Sequence, residues 1–239
     1  MTGTTRTLAG LSAIALVAAC SQDNAPSEKI SDVAETVADT VEGSATPTVA
    51  DGPYAPRNDC REVPGADAFV ARFAAAVKAR DAQAVAALAA PDVKLDFGGG
   101  AGKERLLAML AAKDAPLWAE LDALASLGCG QNEQGGITLP WYAAQAMADV
   151  DPGKAMIVTG ESVPVRASPS AARAMGTLSW DIVSLKDGLQ PGAPFQQIVM
   201  SDGKTGFIAS DNLRSVLDYR LIASSRDGKW SITSLVKGD

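Results

Sequence analysis

Apolar residues recur mainly at helical spacing from Gly65 to Leu127, with one short strand-like interruption, and at strand spacing from Val158 to Val236. Phe69, Phe73 and Val77 fall four apart with Val70 beside them, which is the single stripe of an amphipathic helix. Asp67 stands at its start, where the helix dipole favours an acid. Asp81 caps a second short helix carrying Val85 and Leu88, and Pro91 ends it. Val93-Lys94-Leu95-Asp96-Phe97 alternates with period two and predicts a strand. A glycine-rich turn then leads to two more helices, Lys103 to Ala112 and Ala115 to Leu127, whose leucines and Trp118 are core candidates. Ile137 to Tyr142 fits either a strand or an exposed aromatic loop. From Val158 to Ser215, short apolar runs separated by turn residues form the pattern of a small antiparallel barrel. Leu217 to Val236 predicts one more hairpin about Asp227-Gly228, with Tyr219, Leu221 and Ala223 alternating on one strand and Trp230 and Ile232 on the other.

The first nineteen residues have another character. Arg6 is followed by an apolar run from Leu8 to Ala19 with small residues at its end, the arrangement of a secretory signal. The run is too short to stay in a bilayer as a spanning helix. Val17-Ala18-Ala19-Cys20 resembles the lipobox of bacterial lipoproteins. That resemblance implies a diacylglyceryl group on Cys20, cleavage before it and acylation of the new amino terminus. Ser21 in place of Asp implies sorting to the outer membrane, facing the periplasm. Residues 20–57 are rich in Ala, Ser, Thr, Asp, Glu and Pro, too poor in large apolar groups to offset ordering entropy, and read as a disordered tether.

Charge and residue usage narrow the function. The chain holds 21 Lys and Arg against 28 Asp and Glu; without Arg6 the mature balance is −8. This acidity argues against nucleic acid and against a broad electrostatic grip on anionic lipid. There is no histidine, which removes Ser–His and Cys–His catalysis and histidine metal sites. With Cys20 assigned to lipid, Cys60 and Cys129 remain in an oxidising compartment, where a pair reads as a disulfide; two free buried thiols are the alternative. No metal or cofactor is expected.

Two resemblances bear on the fold. Val163-Pro164-Val165-Arg166-Ala167, Pro169-Ser170 and Gly176-Thr177-Leu178, then Asp202-Gly203-Lys204-Thr205-Gly206-Phe207-Ile208 and Leu213, resemble a bacterial Src-homology-3-like domain. It implies a binding module. The helix–helix–strand order from Phe69 to Phe97 is similar to the start of the nuclear-transport-factor-like cone fold. The chain is therefore expected to be α+β: a signal over 1–19, a lipid-anchored tether over 20–57, a mainly helical domain over 58–157, a small Src-homology-3-like barrel over 158–216 and a C-terminal hairpin over 217–239 packing on the rest.

Motifs for chemistry are weak. Gly98-Gly99-Gly100-Ala101-Gly102-Lys103 lacks the leading glycine and the Ser or Thr of a phosphate loop, since Phe97 and Glu104 occupy those places. Ser201 with Lys204, and Ser234 with Lys237, have Ser-x-x-Lys spacing but lie on a predicted turn and a predicted strand. Asp149 and Asp151 lack the further oxygen ligands calcium needs. The reading that follows is a non-catalytic envelope lipoprotein whose barrel binds peptidoglycan or an envelope protein. The alternatives are a wall-modifying enzyme or its accessory subunit, and a small-ligand cavity in the helical half.

Overall fold

The computed structural model describes residues 50–113, 117–147 and 150–238. All belong to one compact unit, Val49–Asp239. Cys20, with the expected signal and most of the tether, lies outside the described residues.

Helix α1, Ala66–Lys78, buries Phe69, Phe73 and Val77 along the stripe that the spacing predicts. Its N-cap is Gly65, held at φ 77, where a Cβ would come within 3.2 Å of the Trp230 indole nitrogen. Only glycine suits both demands. Helix α2, Ala82–Ala87, is capped by Asp81, whose carboxylate accepts from the Ala84 amide at 2.9 Å. The strand that follows, β1, runs over Ala89–Lys94 instead of 93–97. It includes Pro91 because β1 is an edge strand, where a missing N–H is tolerated. Helices α3, Lys103–Ala111, and α4, Leu117–Ser126, complete the helical layer.

Strands β2, Gly130–Gln131, and β3, Ile137–Leu139, come next. Ile137 to Tyr142 is thus a buried strand, a cis Leu139–Pro140 bond and a buried 3-10 turn, not an exposed loop. The remaining strands are β4, Ala155–Val158; β5, Val163–Arg166; β6, Ala174–Leu178; β7, Ile182–Leu185; β8, Phe195–Val199; β9, Thr205–Ala209; β10, Leu213–Ser215; β11, Arg220–Arg226; and β12, Lys229–Val236.

They form two sheets, of five strands in the order β1-β12-β11-β3-β2 and of seven in the order β10-β4-β7-β8-β9-β5-β6. The helices pack on the first, and Phe69, Phe73, Leu121, Ile137, Leu221 and Ile232 share one core. The second has its own core around Val165, Val183, Ile198 and Ile208. Strand β4 lies between this second core and a third. Its Met156 and Val158 point into the second core, while Ala155 and Ile157 meet Leu127, Trp141 and Tyr142. A strand buried on both faces reads as a continuous apolar run, and Ala155-Met156-Ile157-Val158 is one.

Two expectations are corrected here. The stretch over 158–216 is not a small closed Src-homology-3-like barrel. Its last strand, β10, pairs with β4, which lies before the expected boundary, and the sheet ends openly at β10 and β6. Every residue of β6 from Ala174 to Thr177 is exposed, as befits an open edge. The N-terminal half is also not simply helical, since it supplies β1, β2 and β3 to one sheet and β4 to the other. Such short or edge strands carry too little periodicity to stand out in sequence. The C-terminal hairpin, β11 and β12, forms the centre of the five-stranded sheet between β1 and β3.

Candidate binding groove

Between β1 and β12 the parallel ladder opens. Ala89 is level with Ile232 and Lys94 with Ser234, so five steps of β1 run beside two of β12 and the intervening residues bow outward. A groove of about 360 Å³ occupies the gap, within the size range of small-molecule sites. Its floor is apolar, from Ala87, Ala89, Ala90 and Pro91, with Trp230 at one end. On β12, Lys229, Ser231 and Thr233 alternate with buried Trp230 and Ile232, so one cation and two hydroxyls line the open side.

Arg226 on β11 stands directly across from Lys229 in the register. Two like charges in that position repel, and neither has an ion-pair partner among the described residues. The opposite end of the groove holds Asp92 and Lys103. The start of α3 is fixed against the bowed strand by the Gly102 amide, which donates to the Val93 carbonyl at 2.9 Å. Three cations and two hydroxyls face a single carboxylate, a lining suited to holding an anion. The lining has no second carboxylate to make an acid–base pair with Asp92.

None of these groups stood out in the sequence, because Asp92 and Lys103 are more than a hundred residues from Arg226 and Lys229. The one local signal was the pair of cations flanking the Asp227-Gly228 turn.

The motifs singled out from sequence fall elsewhere. The Gly98–Gly102 loop is closed on itself: Asp96 accepts from the Gly100 amide at 2.6 Å, so that amide is not presented to a phosphate. The same hydrogen bond, with a second from Gly98 and the nearby Arg105, holds the Asp96 carboxyl below its usual range despite some desolvation. Lys204 pairs with Asp202 at 2.7 Å on an exposed turn, not with Ser201, and that pairing raises the lysine. Lys237 pairs with Asp218 at 2.9 Å, not with Ser234. The Asp151 carboxylate accepts from the Gly153 amide in a tight turn, and Asp149 lies outside the described residues. Among the described residues no group of three or more acidic or cysteine side chains is arranged for a metal. Cys60 and Cys129 have disulfide-compatible placement, buried, with Cα atoms 5.7 Å apart. The Asp59 amide donates to the Cys129 carbonyl at 2.9 Å, and the Cys129 amide to the Arg57 carbonyl at 2.8 Å, so backbone bonds hold the same two segments together.

A second polar cluster lies where the helices meet the seven-stranded sheet. Arg214 on β10 contacts Glu120 of α4 at 2.8 Å and lies 3.8 Å from Asp218, which holds Lys237. The buried Tyr142 hydroxyl completes it, its pKa pushed up to about 12 mainly by burial, with Arg214 opposing the shift. Burial alone would lower Arg214, but Tyr142, Glu120 and Asp218 outweigh it and leave the guanidinium raised. These charges neutralise one another across a joint, and the cluster lines no part of the groove.

No family model matches the chain, and no curated protein does. Among solved structures it is similar to a chain named Rd1NTF2_05 carrying five substitutions, at 11% identity over 72% of this chain and 96% of that one, TM-score 0.26. An NTF2-like protein with a cystatin-like fold from Novosphingobium aromaticivorans matches at 11% identity over 71% and 75%, TM-score 0.24. A protein from Xanthomonas campestris, described as a calcium/calmodulin dependent protein kinase II association domain, matches at 15% over 79% and 95%, TM-score 0.22. At such scores these neighbours assign neither fold nor activity to this chain.

Proposed function

We propose that this protein is a lipid-anchored envelope protein that acts by binding and not by catalysis, and that the groove between β1 and β12 is where it holds an anionic ligand. The observation that carries the reading is the cross-strand pair Arg226 and Lys229, two directly opposed cations in the groove lining with no ion-pair partner among the described residues, Asp227 of the connecting turn included. Sheets ordinarily avoid that arrangement, and a bound anion would remove the repulsion. The absence of histidine from the sequence and the lone carboxylate in the groove favour binding over acid–base chemistry. Cys20, through the lipobox resemblance, would place the groove in the periplasm on an outer-membrane anchor. There the carboxylates of peptidoglycan stems or of an envelope protein are available partners.

Trp230 lines the groove and supplies the test. Tryptophan fluorescence of the full chain in detergent should change saturably on titration with a short peptide carboxylate. A variant carrying both Arg226→Ala and Lys229→Ala should lose the response while keeping its thermal midpoint. Equal binding by the double variant would place the anion elsewhere and remove the reading.

A further inference from the structure

The two ends of the groove differ in charge, and this narrows the ligand. At the hairpin end the lining residues Arg226 and Lys229 are both cations, and Asp227 of the turn that joins them is not part of the lining. At the far end Asp92 stands beside the start of α3 with Lys103, so a carboxylate is offered there as well. Asp92 has no ion-pair partner among the described residues. A compact polyanion such as inorganic phosphate would gain from the two cations of the hairpin end, while the far end, with Asp92 beside Lys103, offers it no net charge. Between the ends the floor is alanine and proline, with the Ser231 and Thr233 side chains along the rim.

We infer that the groove takes a short peptide bearing both a carboxylate and a free ammonium group, the carboxylate between Arg226 and Lys229 and the ammonium at Asp92. This rests on the anion-binding reading above and adds the second charge and its direction. From Lys229 to Thr233 the strand advances roughly 13 Å, which an extended peptide of about four residues matches. Small side chains suit the alanine floor. A peptide of this kind reaches an envelope protein as a free product of proteolysis, whereas a stem peptide still joined to its glycan has an acylated amino terminus and offers the groove only carboxylate.

Tetraalanine with free termini, its N-acetyl form and its C-terminal amide separate these claims when titrated against the full chain. The free peptide should bind, and acetylation should weaken binding about fivefold, the upper range for one exposed ion pair. In an Asp92→Asn variant the free and acetylated peptides should bind alike, with the affinity of the acetylated form unchanged from the parent. The amide should bind more weakly than the free peptide in the parent, and the Arg226→Ala, Lys229→Ala variant should erase that difference. If acetylation leaves the parent's affinity unaltered, the ammonium assignment is wrong while the anion groove stands. If no carboxylate peptide binds at all, the groove reading itself fails. A purified disaccharide-tetrapeptide of the cell wall, whose peptide amino terminus is acylated, should displace tetraalanine only as weakly as the N-acetyl form does, and displacement as strong as that by the free peptide would overturn the ammonium assignment in favour of the wall.

Discussion

Arg214 on β10 lies 2.8 Å from Glu120 on α4, a direct ion pair between the edge of the seven-stranded sheet and the helical layer. The arginine side chain is only 10% exposed and the glutamate 21%. The Arg214 Nε is buried without an acceptor, and Glu120 Oε2 receives no well-directed hydrogen bond despite the contact. The pair is therefore Coulombic more than hydrogen-bonded, and its value is in fixing how the two layers meet. Removing one partner leaves the other buried and uncompensated. Arg214→Ala should lower unfolding stability by about 3 kcal/mol, toward the smaller end of losses for broken buried pairs. Adding Glu120→Gln should restore part of it. A denaturant midpoint that does not move with Arg214→Ala would show that the pair is screened and idle.

Tyr142 predicts the alkaline limit. Its pKa in the folded chain lies at about 12 because burial opposes the phenolate, against an ordinary value near 10. Below pH 10 the hydroxyl is protonated in both states and contributes no slope. Between 10 and 12 the unfolded chain loses the proton first, so stability falls as pH rises through that window. The loss is roughly 3 kcal/mol over it. Stability curves should steepen downward above pH 10, and Tyr142→Phe should flatten that segment. Tyrosinate absorbance should show one of the three tyrosines titrating late.

Cys60 and Cys129 are separated by 69 residues, so a bond between them closes a long loop of the unfolded chain. The chain-entropy treatment gives ~4 kcal/mol for such a loop. Mass spectrometry of untreated protein should find the two cysteines in one linked peptide pair, and reduction should lower the thermal midpoint. Alkylatable thiols at both positions in protein from an oxidising compartment would contradict the pairing.

What the sequence made legible was whatever had long periodicity or a strong local signal. The stripe Phe69–Phe73–Val77, the Asp81 cap and the Asp227-Gly228 hairpin each declare themselves within one turn of chain. Strands β2 and β3 have two and three residues, too short to declare a period, so the five-stranded sheet was invisible until β11 and β12 were seen between β3 and β1. The barrel expectation failed at β4, whose unbroken apolar run does not alternate because both faces are covered. The groove was hidden for a related reason. It arises from an irregular register between β1 and β12, and register between distant strands leaves no mark on composition.

The anchor is tested in cells. In a Gram-negative host the parent chain should fractionate with the outer membrane and carry acyl groups on Cys20. A Cys20→Ala variant should leave the membrane fraction. Acyl chains contribute ~0.8 kcal/mol per buried methylene, so no exposed surface of this acidic chain should substitute for them. Equal retention of the variant would remove the lipid anchor.

Trp230 decides whether the C-terminal hairpin and the helices fold together. Its side chain is 7% exposed and lies tilted against Phe69 of α1, with ring centroids 6.1 Å apart. The indole N–H donates to the Pro64 carbonyl at 3.0 Å, 166 residues away in sequence, just before the glycine that begins α1. A residue of β12 thus both packs on the first helix and fixes the chain entering it. Trp→Ala losses of about 3–5 kcal/mol are typical, against native stabilities of only ~5–15 kcal/mol. Trp230→Ala should therefore lower the helical circular-dichroism midpoint as much as any signal from the strands. Trp230→Phe keeps most of the contact with Phe69 and loses the hydrogen bond to a carbonyl of the exposed Pro64, so its cost should be nearer ~1 kcal/mol, the net value of an ordinary hydrogen bond. If the helical midpoint stays where it is in Trp230→Ala while the strand signal falls, the hairpin stabilises the sheet alone and the shared core between β12 and α1 carries no cooperativity.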